Sequence, residues 1–153
     1  MYYDYPSFLA DIKDLKKQIE ASIKVPDALI SITRGGMTMT HFLSLAWNIR
    51  AVYGINAISY SDKNVQSNLI IDNVPNIKPH EKHILIVDEI VDSGKSLQAV
   101  LDKMKGTFPE HTFYTCVIFQ KQSAPIKANF YLKEPSEWID FFWEVDVIND
   151  CKC

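Results

Sequence analysis

Between residues 7 and 23, apolar side chains fall at Phe8, Ile12, Leu15, Ile19 and Ile23, a spacing of three and four that places them on one face of a helix. Ser7, directly after Pro6, reads as its N-cap. The run "ALISIT" at 28–33 breaks that period: it is short, apolar and β-branched, so it predicts a strand. "RGG" at 34–36 then predicts a tight turn into a second helix through Phe42, Leu45, Ala46 and Ile49. "INAISY" at 55–60 is the next predicted strand. Residues 61–83 carry polar side chains, Pro75, Pro79 and an apolar island only at Leu69 to Ile71. So long a connection is characteristic of a functional lid or a disordered segment.

"HILIVDEI" at 83–90 is apolar without alternation, which predicts the central strand of a parallel sheet, buried on both faces. A helix follows from about Ser96 through Leu97, Val100, Leu101 and Met104, stopping at Gly106 with Pro109 beyond. "FYTCVIFQ" at 113–120 and "ANFYL" at 128–132 predict two more strands. Strands alternating with helices give an open, mainly parallel α/β sheet flanked by helices, with right-handed crossovers. One domain over residues 1–153 is expected, with no internal repeat. Ligands bind such sheets outside the carboxyl ends of the strands. The "RGG" turn, residues 88–96 and Lys121 all follow strands, so they are expected to converge there.

Composition narrows the class without changing the fold. A chain of 153 residues, 47% hydrophobic and 23% charged, is a globular protein able to bury one full core. The formal charge of −3, with no dense run of Lys and Arg, argues against nucleic-acid binding by bulk phosphate neutralisation. No apolar run approaches the roughly 20 residues of a membrane span, and the acids in "MYYDYPSFLADIKD" do not suit a signal peptide. A cytoplasmic location is expected. Cys116, Cys151 and Cys153 fit a reducing compartment, and the terminal "CKC" reads as a frayed tail rather than a metal site.

The chemistry concentrates in "ILIVDEIVDSGKSLQAV", residues 84–100. If Gly94, Lys95 and Ser96 ended a nucleoside triphosphate loop, position 89 would be glycine. It is Glu89, whose carboxylate would repel a triphosphate. What remains is a strand entering a helix N-terminus, where unpaired N–H groups and the hydroxyls of Ser93 and Ser96 suit a single phosphate. For an isolated "DSG" a plain helix cap would be the simpler reading. Asp88 and Glu89 change that weighting, because adjacent carboxylates at the end of a buried strand require partners such as ribose hydroxyls or magnesium. With Asp92, they suggest a ligand carrying a phosphate, a ribose and a metal-bound group.

In this order of residues, "ILIVDEIVDSGKSL" resembles the phosphoribosyl pyrophosphate motif of the type I phosphoribosyltransferases. "SITRGGM" resembles the family's pyrophosphate loop, and "SY" at 59 and 60 the start of its mobile catalytic loop. Lys121 after "VIFQ", with the tail "EPSEWIDFFWEVD", resembles the base-binding segment of the small bacterial xanthine-guanine enzymes. The resemblance runs from about residue 28 to 146. It implies the type I phosphoribosyltransferase fold with a small C-terminal base-binding hood at about 121–146, and a catalytic loop at about 61–83. It also implies transfer of a phosphoribosyl group from phosphoribosyl pyrophosphate to a purine, with Mg2+ as cofactor, by a homodimer or homotetramer.

Carried over by residue, Ser93, Gly94, Lys95 and Ser96 would hold the 5′-phosphate. Asp88 and Glu89 would hold the ribose hydroxyls and the metal, and Arg34 and Gly35 the pyrophosphate. Asp92 would act as general base at the imidazole edge of the purine, and the loop starting at Ser59 and Tyr60 would close over the reacting atoms. Lys121 would meet a 6-oxo group, Trp138 stack on the ring, and the Ile139 carbonyl face the 2-position. An ammonium donates to a 6-oxo group but not to adenine's 6-amino group, so 6-oxopurines are the expected bases. Two features depart from the small bacterial pattern: Glu89 stands where those enzymes usually have Asp, and Gly-Lys-Ser replaces Gly-Gly-Thr. They leave the preference among guanine, xanthine and hypoxanthine open. A regulator that binds the donor as a signal, or a transferase for another base, are the alternatives.

Overall fold

The computed structural model describes residues 1–60 and 68–148; the terminal "CKC" and residues 61–67 of the expected catalytic loop lie outside that description. A two-residue strand β1 (Tyr2–Tyr3) leads into helix α1 (Tyr5–Ser22), with Pro6 in its first turn. The N-cap is Asp4, not Ser7: the Asp4 carboxylate accepts the Ser7 backbone N–H at 2.8 Å. Proline in the first turn forfeits no intrahelical bond, which moves the helix start upstream of the expected cap. The predicted face forms, with Phe8, Ile12, Leu15 and Ile19 buried.

Strand β2 (Ala28–Thr33), helix α2 (Met37–Ala46), strand β3 (Val52–Tyr60) and strand β4 (Asn68–Asp72) follow. The core face of α2 differs from the expected one. Met39, Thr40, Leu43 and Ser44 are buried, while Leu45 is 68% exposed and Ile49 lies beyond the helix. The island at Leu69 to Ile71 is the middle of β4, which pairs antiparallel with β3 through Ile58↔Ile70, so 61–83 is not one structureless connection. Its exposed-intermediate alternation makes β4 a weak signal on sequence alone.

Strand β5 (His83–Val87), the short β6 (Ile90–Val91), helix α3 (Lys95–Thr107), strand β7 (Thr112–Cys116) and the short β8 (Phe119–Gln120) come next. The main sheet has order β4-β3-β2-β5-β7, so its middle strand is β2 rather than β5. Both are buried on both faces. Ile84 and Ile86 of β5 point to one core with Ile30, Val100 and Met104, while Leu85 and Val87 point to the other with Leu15, Ile19 and Met39. The run at 113–120 is split, because the chain leaves the main sheet after Cys116 and β8 pairs with β6 in a separate ribbon. "ANFYL" is not a strand; Phe130 makes only an isolated bridge to Cys116. Near the end of the description, β9 (Asp140–Phe141) pairs in parallel with β1 and runs into helix α4 (Phe142–Ile148).

Parallel register sets the site. Ser31 pairs with Val87 and Val87 with Cys116, so β5 and β7 end at the same level and β2 runs on past them to Thr33. The Asp88 N–H donates to the Cys116 carbonyl at 3.1 Å as the chain leaves the sheet. The turns after these strands therefore open on one edge.

Candidate active site

Two glycines after β2 are small for reasons visible in the packing. A Cβ on Gly35 would lie 1.5 Å from Glu89 Oε2, and one on Gly36 would lie 2.2 Å from the Val87 carbonyl oxygen. The "RGG" turn thus rests directly on the end of β5, bringing Arg34 and Gly35 to the Asp88–Glu89 pair. The Thr33–Arg34 peptide bond is cis. Gly36 is required here by packing against the end of β5, a constraint that the sequence pattern alone does not show.

The carboxylates of 88 and 89 are strained electrostatically. The Asp88 Oδ1 accepts the Glu89 N–H at 3.0 Å. Burial first, and then the charge of Glu89, push the Asp88 carboxyl well above the usual carboxylate range. Glu89 Oε2 is buried with no hydrogen-bond partner among the described residues. Two adjacent carboxylates are a suitable oxygen-donor set for a hard divalent ion. Among the described residues no group of three or more His, Cys, Asp or Glu has metal-site geometry, so any such ion takes most of its ligands from elsewhere.

Beyond them the chain forms a cavity of about 120 Å3 lined by Asp88, Ile90, Val91, Asp92, Ser93, Gly94, Lys95, Ser96 and Leu97. Gly94, the N-cap of α3, has φ +83°, and a Cβ there would lie 2.6 Å from Ile126 Cβ. Only glycine suits both the left-handed backbone and that approach. The cap residue itself has no side chain to bond the first turn; the Lys95 N–H donates to Ser93 Oγ at 3.3 Å, and the helix N-terminus as a whole is a setting that favours an anion.

A larger cavity of about 450 Å3 adjoins it, sharing Ile90 and Asp92 and continuing past Glu89, Lys121, Trp138, Ile139 and Glu144. Lys121 and Asp92 form an ion pair across it. Trp138 is 82% exposed, so its ring is a wall of the cavity rather than a core side chain. Of the packed aromatics of the tail, Phe141 and Trp143 are stacked at 4.7 Å and Phe142 meets Phe8 and Trp143 edge-on. Burial, and then the charge of Glu89, raise the Glu144 carboxyl above its ordinary value, with Arg34 opposing. Glu144 and Glu137, which also line this cavity, were not singled out from the sequence; a charge in a short tail helix or an irregular connection carries no signal of which way it faces.

Most predicted positions are thus brought to one edge: Arg34 and Gly35 beside Glu89, residues 88–96 around the small cavity, and Lys121, Trp138 and Ile139 around the large one. Ser59 is different. It lies on the exposed arm of β3, paired with Leu69, and lines neither cavity. The side chain of Tyr60 lies outside the described residues.

Comparison with known proteins agrees with this geometry. The family model described as a phosphoribosyl transferase domain matches residues 1–149. The xanthine-guanine phosphoribosyltransferase of Cereibacter sphaeroides is 33% identical over 121 residues, covering 77% of this chain and 69% of that one. The solved structure of a xanthine-guanine-hypoxanthine phosphoribosyltransferase from Helicobacter pylori is 55% identical, superimposes with TM-score 0.93, and covers 97% of this chain and 96% of that one. A purine phosphoribosyltransferase from Pyrococcus horikoshii, 22% identical with TM-score 0.78 over 94% of this chain and 92% of that one, shares the fold.

Proposed function

The chain belongs to the phosphoribosyl transferase family, and from that premise we propose that it is a purine salvage enzyme. It transfers the phosphoribosyl group of phosphoribosyl pyrophosphate to a 6-oxopurine, releasing pyrophosphate. The observation that carries this reading is the Asp92–Lys121 pair at the mouth of the larger cavity, next to the phosphate-sized one. A 6-oxopurine carries O6, an acceptor, and an imidazole N7–H, a donor, side by side on one edge. An ammonium and a carboxylate held in contact complement those two groups together. Adenine would present an amino donor to the ammonium.

The residues then act in sequence along the substrates. Ser93, Gly94, Lys95 and Ser96 take the 5′-phosphate on the first turn of α3. Asp88 and Glu89 hold the ribose hydroxyls, and Arg34 receives the pyrophosphate through charge-assisted bonds beside the Gly35 N–H. Trp138 stacks on the base and the Ile139 carbonyl meets its 2-position. Asp92 accepts the proton that the purine loses as the new bond to the ribose forms. The segment beginning at Ser59 and Tyr60 closes over the site and excludes water, which would otherwise hydrolyse the donor.

Mg2+ fits the same two carboxylates, as the unpartnered Glu89 oxygen and the raised Asp88 carboxyl indicate. Held there, the ion would neutralise charge on the pyrophosphate. No helix among the described residues is long and apolar enough to cross a membrane, and the enzyme acts in the cytoplasm as one domain. A homodimer or homotetramer is supported by apolar side chains left exposed on α2 and β3, Met37, Leu45 and Val52.

The test is to incubate the protein with phosphoribosyl pyrophosphate, Mg2+ and, in turn, guanine, xanthine, hypoxanthine, adenine and uracil, following monophosphate formation. Turnover is expected with 6-oxopurines and not with adenine. No product from any 6-oxopurine overturns the assignment.

A further inference from the structure

Trp138 and Ile139 sit on a connection between Lys133 and Asp140 that has no helix or strand of its own. A loop that must present a ring and a carbonyl to a rigid base needs fixed ends. Both ends of this one lead to the same atom. At the start, Lys133 Nζ lies 2.7 Å from Asp11 Oδ2, while its backbone N–H donates to the Ile118 carbonyl and its carbonyl accepts the Gln120 N–H. That places Lys133 beside the strand that carries Lys121. At the far end, Asp140 and Phe141 pair with Tyr2 and Tyr3. The Tyr3 hydroxyl donates to Asp11 Oδ2 at 2.6 Å, and its ring meets Phe141 and Phe119 edge-on at 5.8 and 5.1 Å.

Asp11 is only 6% exposed, among the buried apolar positions Phe8, Ile12, Leu15 and Ile19 of α1. A carboxylate there costs stability relative to an apolar residue unless its bonds are used. What it supplies that an apolar residue would not is two directional bonds, one to Lys133 at the start of the base-binding connection and one to Tyr3, whose strand pairs with its far end. Neither Tyr3, Asp11 nor Lys133 lines the base cavity, so none of them touches the base.

We infer that Asp11, with Tyr3 and Lys133, is a positioning residue for the purine site: it fixes the Lys133–Phe141 connection from behind and thereby sets where Trp138 and Ile139 stand. This rests on the salvage assignment. The network acts on the base and not on the phosphoribosyl donor, whose residues lie in the turns after β2 and β5 and at the start of α3.

The experiment compares full-length Asp11→Asn, Lys133→Met and Tyr3→Phe with the parent, varying guanine at saturating donor and then donor at saturating guanine. Asp11→Asn and Lys133→Met should each raise KM for guanine by about tenfold, with kcat and KM for the donor changed less than about twofold. The double variant should rise no further than the larger single one, since both remove one link. Tyr3→Phe keeps the ring and loses only the hydroxyl, so a rise of about threefold is expected. It keeps the test open should Asp11→Asn fail to fold. Unchanged KM for guanine in variants that melt cooperatively, or parallel rises in both KM values, overturns the inference. A parent protein that turns over no 6-oxopurine instead overturns the salvage assignment itself, and this inference with it.

Discussion

The phosphate end of the site and its base end are built in opposite ways. The residues proposed for ribose and phosphate, 88–96, form one continuous stretch, where a strand buried on both faces runs into the first turn of α3. The base end is gathered from distant parts of the chain: Asp92 after β6, Lys121 after β8, Trp138 and Ile139 on an irregular connection, and β1 beneath them. The difference follows from the ligands. A phosphate is satisfied by backbone N–H groups that any helix start provides, so local geometry suffices. A flat base must be held on its edge and its face together, which no single element can do. Changes at the phosphate end should therefore act on the donor and on backbone strain, and changes at the base end on purine recognition.

Asp92, lining both cavities, is where the contrast is most easily broken. Asp92→Asn should lower kcat by about a hundredfold through loss of the proton acceptor, while donor affinity measured by calorimetry changes little. Equal loss of donor binding would assign Asp92 to the phosphate end alone. Next in size is Gly94→Ala, which forces a side chain into a left-handed backbone and against Ile126. A loss of about 2 kcal/mol, read in denaturant melts, and weaker donor binding with unchanged guanine binding are expected. Lys121→Ala should raise KM for guanine by about tenfold and spare the donor; a comparable rise in both would show that the two ends are not separable there.

The smallest effect concerns pH. Burial, and then the hydrogen bond to Asp11, raise the Tyr3 hydroxyl above its ordinary pKa of 10.0. A raised pKa in the folded state means that its contribution is whole below the unfolded value and is lost as pH climbs beyond it. Melting temperature should accordingly fall above about pH 10 and fall less steeply in Tyr3→Phe. The same slope in both proteins would remove Tyr3 from the cause.

Where sequence reasoning succeeded and failed follows the same division. The amphipathic face of α1, the doubly buried β2 and β5, and the acids and glycine of 88–96 were legible because each reports on its own neighbours. The exposed Leu45, the edge strand β4 and the break between β7 and β8 were not, since the same residue types suit either outcome until the partner strand or helix is in place. Tyr3 and Asp11 carried no motif at all. The amino-acid sequence by itself determined the period of α1, β2 and β5 and the glycine at the start of α3, because backbone geometry over a few residues fixes both. Only the tertiary structure decided that Lys121 meets Asp92, that Trp138 faces the cavity while Trp143 packs beneath it, and that one buried carboxylate on α1 ties both ends of the base-binding connection. Those contacts join residues far apart in the chain, and it is the common edge on which the parallel strands end and the pairing of β1 with β9 that bring them within reach.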